Sequence, residues 1–249
     1  MKKLLVNFIY SLAVVLLILL IWYIASLWIS VDLILPTPGQ AIISLGSCLT
    51  EAEFWISLGW TLLRSIEGFV FAFVLSLVFS ILSYCFKTVE RLFTPLMAIV
   101  RAVPTMAILL LLIIIISPNL TPIIVAGIVI CPMLYQSFLS GFQQIDKDLI
   151  EMANLYRVPL KRQILQFYIP NMKPIILDHS ATTFSLNIKL VIAAEALAQT
   201  RNSIGKLMQF AKVNLDVGRL FALTIVAVVL SLLSEVLLRS LRKVLIPYD

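Results

Sequence analysis

Asp146–Pro170 reads DKDLIEMANLYRVPLKRQILQFYIP, the most polar long stretch in a chain that is otherwise close to continuous hydrocarbon. Asp148 with Glu151 has the spacing of a capping box, in which the first residue accepts from the helix N-terminus and the second reaches back. A helix from Leu149 carries Leu149, Met152, Ala153 and Tyr156 along one face, at i, i+3, i+4 and i+7. Pro159 lacks a donor and biases Val158 away from helix, so this first helix should stop near Arg157. A second short helix, Leu160 to Tyr168, carries Lys161 and Arg162 and should end at Pro170. Two short amphipathic helices meeting at a kink make a rigid knob suited to docking. The plainer reading is a basic loop with incidental helicity.

Composition says what surrounds the knob. Of 249 residues, 61% are hydrophobic and 13% charged, about half the charged share of a soluble domain. With a mean hydropathy of +1.05, the chain is a membrane protein by composition. The net charge of +6 does not point to nucleic acid, because the basic residues flank apolar runs and form no single stripe. The three cysteines, Cys48, Cys85 and Cys131, are isolated, and there is one histidine. Neither a disulfide framework nor a zinc site is expected.

Six apolar runs suggest six spans. The first extends from Met1 to about Ser30. Its length and its lack of a small-residue cleavage site argue for a retained span over a signal peptide. Leu35-Pro36-Thr37-Pro38 reads as an extended turn outside the membrane, and the segment from Ala41 to about Ile66 is amphipathic. The remaining spans run from about Glu67 to Phe86, Leu92 to Ser117, Leu120 to Leu139, Lys173 to Leu197 and Arg219 to Leu238. Arg101 and Pro104 interrupt the third. Arg101 reads either as snorkelling to headgroups beside a simple kink or as part of a hinged gate.

Lys2, Lys3, Lys87, Arg91, Lys147, Arg157, Lys161, Arg162, Lys173, Arg239, Arg242 and Lys243 fall on one side of this arrangement. Arg201, Lys206, Lys212 and Arg219 fall on the other, with Arg64 near the interface. The positive-inside rule then puts both termini and the knob in the cytoplasm.

Enzymes and channels each leave signatures. An intramembrane protease needs two aspartates in facing spans, or a nucleophile within reach of histidine. The spans hold one aspartate, Asp178, and His179 points about 100° away from it. A passive channel would not require the knob. No GxxxxGK[ST] occurs, since Gly205-Lys206 lacks both the upstream glycine and the following Ser or Thr; if ATP drives this protein, a partner chain binds it.

Within the knob, Glu151, Ala153, the break near Arg157 and Pro170 resemble the EAA loop of ABC importer permeases. The rest of the family's landmarks follow in order. Leu35-Pro36-Thr37-Pro38 resembles its LPSP turn, Leu63-Arg64-Ser65-Ile66-Glu67-Gly68-Phe69 its LLRxxxGF, and Arg101-Ala102-Val103-Pro104 its R-x-x-P. Ala193-Ala194-Glu195, Ser203-Ile204-Gly205 and Leu220-Phe221-Ala222 match later ones. The set is similar to the nitrate, sulfonate, taurine and thiamine-precursor branch.

The resemblance implies an all-α polytopic membrane protein with a coupling-helix loop. It would be a single permease domain over residues 1–249, with its core at about 57–240 and the loop at about 142–170. It also implies a second permease copy or paralogue, cytoplasmic ATPase subunits that bind the ATP, and an extracytoplasmic substrate-binding protein. Asp148, Glu151, Ala153, Arg157, Pro159 and Pro170 would form the coupling element, with Ala153 on the docked face. Met152 and Arg157 stand where the family usually has a second alanine and a glycine. A bulky residue at positive φ is disfavoured, so either Arg157 keeps the left-handed turn or Pro159 makes the break.

The fifth span is the most polar. Asp178, Thr182, Ser185 and Lys189 fall within roughly 60° of one another at helical spacing. A charge at bilayer centre costs roughly 2.5–3.5 kcal/mol, so this stripe faces a partner helix or water. It reads either as a wall of the translocation path or as inter-helix bonding with Asp178 reaching the interface. Lys189 would meet an anionic solute or pair with Glu195. His179, Ser185 and Ile188 depart from the residues many relatives carry here.

Overall fold

A computed structural model describes residues 2–29 and 34–245. All regular structure among them is helical: α1 Lys2–Ile29, α2 Pro38–Thr50, α3 Ala52–Cys85, α4 Lys87–Ala102, α5 Thr105–Ile115, α6 Thr121–Gln143, α7 Lys147–Leu155, α8 Leu160–Gln163, a π-turn Ile164–Tyr168, α9 Ile169–Ala198, α10 Ile204–Val213 and α11 Val217–Leu245. The chain is therefore an all-α polytopic membrane protein. α3, α6, the continuous Lys161–Ala198 and α11 are each long and apolar enough to cross a bilayer. The expected ends of the first run, Met1 and Ser30, lie outside the described residues.

Local chemistry moves several boundaries. Pro38 opens α2 where the sequence suggested a turn: Thr37 Oγ1 accepts from Gln40 N at 3.2 Å, and Gln40 Oε1 accepts from Thr37 N at 2.8 Å. At the first helical position a proline's missing donor costs nothing. Extended backbone at Glu51 (φ −84°, ψ 128°) separates α2 from α3. α3 is then unbroken for 34 residues, about 50 Å at 1.5 Å per residue, so it runs well past the roughly 30 Å hydrocarbon layer.

The third run is not a kinked rod. α4 and α5 meet at 89°, because Pro104 holds Val103 in an extended conformation (φ −70°, ψ 129°). The fifth run, by contrast, is longer than expected. Pro170 does not end a helix; the π-turn just before it lets helix continue from Lys161 to Ala198.

The bundle centres on α3, α6 and α9. Ser57, Thr61, Ser65, Gly68, Ala72, Ser76, Ser80 and Ser83 are all buried along α3 at spacings of three and four. Small residues let helices approach closely in a membrane, where no hydrophobic effect drives association. At Gly68 a Cβ would stand 3.0 Å from Ile123 O of α6, tighter than most packed side chains tolerate. Ser76 Oγ donates to Cys131 O at 2.8 Å, Tyr135 OH to Ser83 Oγ at 2.9 Å, and Asn187 Nδ2 to Ser65 O at 2.7 Å. Ile130, Leu134, Tyr135 and Phe138 of α6 fill the space between.

Candidate functional site

The knob is present, with its parts reassigned. Asp146, not Asp148, caps α7: its Oδ1 accepts from Asp148 N at 2.9 Å, which places Lys147 and Asp148 inside the first turn. The Asp148–Glu151 capping box is therefore not formed, and both side chains are exposed. Arg157 does keep the left-handed turn, at φ 50°, and Val158 N donates to Ala153 O at 2.9 Å, the long bond of a Schellman motif. A non-glycine residue in this conformation costs about 1–2 kcal/mol. Pro159 follows the break and starts the next helix, since its carbonyl accepts from Arg162 N and Gln163 N.

The expected docking face is rotated. Ala153 is 2% exposed, turned inward beside the partly buried Ile150, so it is not available to a partner. The outward apolar face consists of Met152 at 48%, Leu155 at 82% and Tyr156 at 75% exposure. These lie at i, i+3 and i+4, the anchor spacing of a helix that enters a groove. The apolar spacing alone does not single out Leu155. An apolar run fits two helix faces, and burial selects between them.

The polar stripe of the fifth run divides by depth. Near the knob, Asp178 Oδ2 pairs with Arg242 Nη1 at 2.6 Å. Thr182 Oγ1 donates to Asp178 O at 3.3 Å and accepts from Arg239 Nη2 at 3.4 Å. Ser185 is buried and Lys189 is exposed. Arg101 and Pro104 are exposed at the α4–α5 corner.

Lys189 and Glu195 do not pair. Glu195 is fully buried and bonds instead to Arg64 Nη1 at 3.0 Å and Thr61 Oγ1 at 2.8 Å. Arg64, expected near the interface, is itself buried and also donates to the carbonyls of Asn202 and Arg201, at 3.2 and 2.9 Å. Thr61 Oγ1 accepts from Ile204 N at 3.0 Å. At Gly205 a Cβ would lie 2.4 Å from Ile192 O, so only glycine lets α10 seat against α9. Ser203 caps α10 by accepting from Lys206 N at 3.0 Å. One clasp thus joins α3, α9 and α10 at the end of the bundle away from the knob.

A matching family model covers residues 76–246 and is described as binding-protein-dependent transport system inner membrane component. The chain belongs to this family. It is accordingly a multi-pass inner-membrane permease subunit, and the family is one of transporters. Among solved structures, the fold is similar to the inward-facing MetNI methionine ABC transporter in its CY5 native crystal form. That match has a TM-score of 0.68 and 15% identity, over 78% of this chain and 98% of that one. A second inward-facing MetNI structure, from a SeMet-soaked CY5 crystal, matches with a TM-score of 0.60 and 14% identity, over 76% and 93% of the two chains. No curated protein matches the chain.

Proposed function

We propose that this permease subunit couples ATP hydrolysis on a separate cytoplasmic ATPase to inward movement of a small solute. A second permease copy or paralogue would complete the path. The observation that carries this reading is the exposed apolar face of Met152, Leu155 and Tyr156 on a helix whose surroundings are polar. α7 is joined through Arg157 and the π-turn to the helix that bears Thr182 and Lys189. A push on α7 therefore reaches the proposed path without crossing a flexible linker. The basic residues at this end of the bundle favour placing it, and both termini, in the cytoplasm.

ATP would bind to the partner subunit, since the chain carries no phosphate-binding loop. The cargo we favour is a small anionic or heteroaromatic solute of the nitrate, sulfonate, taurine or thiamine-precursor kind, handed over by an external binding protein. Lys189, exposed about two-thirds of the way along α9, supports an anion. Asp148, Glu151 and Arg157 would contribute the polar rim of the docked surface. Copurification with a nucleotide-binding subunit, and its loss in Leu155→Asp, tests the coupling. Uptake by the chain alone, without nucleotide, would overturn it. Calorimetry on the associated binding protein tests the cargo, and tight sugar or peptide binding without sulfonate, nitrate or pyrimidine binding rejects it.

A further inference from the structure

A cavity of about 530 Å³ opens between the knob-side ends of α3 and α9, within the roughly 300–1,000 Å³ typical of small-ligand sites. Its walls are Leu77, Ile81 and Tyr84 of α3, and Tyr168, Met172 and Ile176 of the π-turn and α9. Phe142 of α6 closes the back. Lys173 is the one charged residue in the lining.

At helical spacing, Lys173 and Ile176 lie roughly 120–180° around α9 from Asp178, Thr182 and Lys189, and Met172 roughly 80–120°. The cavity is therefore on the face opposite the polar stripe and outside the proposed path. Its walls belong to α3 and to Lys161–Ala198, both long and apolar enough to cross a membrane, at the ends that join the knob.

Along the chain, the charged residues next to the wall are mostly basic. Lys87 follows wall residue Cys85 by two positions, and Lys161 and Arg162 precede wall residue Ile164 by three and two. Glu90 is the acidic neighbour, and it accepts from Gln143 Nε2 at 2.7 Å. Tyr84 and Tyr168, with ring centroids 6.1 Å apart, bring aromatic rings with polar tips to this depth, as at membrane–water boundaries.

We propose that this cavity binds the acyl chain of an anionic phospholipid from the leaflet on the knob side, with Lys173, Lys161 and Arg162 on the headgroup. Apolar walls take the tail, and the basic mouth selects the headgroup. The lipid would wedge beside the π-turn, the joint between α7 and α9. The inference depends on the membrane-spanning fold and not on the coupling role.

The test uses the full chain in vesicles of equimolar phosphatidylglycerol and phosphatidylcholine, followed by native mass spectrometry. Phosphatidylglycerol should be retained over phosphatidylcholine by about fivefold, the scale expected from one basic residue near an anionic surface. Lys173→Gln should reduce that preference. Ile81→Trp and, independently, Ile164→Trp fill the cavity and should abolish retention while the protein stays monodisperse.

Cys85 lines the cavity and gives a readout on the unaltered chain. Cys48 and Cys131 are buried, and burial pushes the Cys48 thiol up, which slows its alkylation. A photoactivatable phosphatidylglycerol should shield and cross-link Cys85. Equal retention of both lipids overturns the headgroup assignment. No retention, retention indifferent to the tryptophans, or cross-linking of Cys85 to a protein segment in the assembled transporter overturns the site.

Discussion

The two ends of the bundle are held by different physics. At the clasp end, Glu195, Arg64 and Thr61 are buried, bonded to one another and to the backbone of Arg201, Asn202 and Ile204. Thr200 Oγ1 adds a bond to Pro118 O at 2.8 Å. At the knob end, the Asp178–Arg242 and Arg239–Glu235 pairs stay partly in solvent, a cavity replaces packed side chains, and apolar residues project outward. Buried ion pairs are costly to break, whereas exposed ones contribute little. The contrast fits a rigid clasp end and the docking role proposed for the other.

The sharpest way to break that contrast is Glu195→Ala. It leaves Arg64 buried without its carboxylate, at a cost of about 3–5 kcal/mol. Detergent-solubilised protein should lose its monodisperse peak and its cooperative melting. If melting is unchanged, the clasp does not hold that end.

Gly205→Ala attacks the same end by sterics alone, since the new Cβ meets Ile192 O and Ala196 N, both backbone. About 1–3 kcal/mol of destabilisation is expected, visible as a lower thermal midpoint. A silent substitution would mean that α10 moves freely, against the rigid reading.

On α7 a matched pair separates folding from docking. Ala153→Asp buries a charge and should cost about 3 kcal/mol, lowering protein levels in the membrane. Leu155→Asp alters a side chain that is 82% exposed, so stability should move by no more than about 0.5 kcal/mol while ATPase association and uptake are lost. The reverse outcome would restore Ala153 to the docked face.

Among the ion pairs, the smaller effect is expected from Asp178→Asn. Its pair with Arg242 has side chains 41% and 34% exposed, so at most about 1 kcal/mol is at stake. A melting shift as large as that of Glu195→Ala would erase the difference between the two ends.

Much of this was legible in the chain itself. Composition alone gave a membrane protein, since no soluble fold hides so much hydrocarbon. Among the described residues the apolar runs fall on helices, because backbone groups in lipid must be satisfied within a segment. Four of these helices are long and apolar enough to span, or five with the bent α4–α5 pair, against the six expected. The knob also stood out, because its polar residues interrupt that hydrocarbon. Family landmarks named Arg64, Gly68, Glu195 and Gly205 as notable without saying that three of them meet in one clasp.

What the tertiary structure decided was partnership and facing. Glu195 is six residues from Lys189 and 131 from Arg64, and proximity along the chain favoured the wrong cation. The start of the helix that contains α9 was misplaced for a related reason. Proline rules describe an isolated helix, whereas the π-turn beside Pro170 is held in a packed bundle. Ala153 and Leu155 differ in fate because α7 lies against its own chain on one side. Period and propensity fix where a helix runs; which side it buries is set by neighbours brought together only on folding.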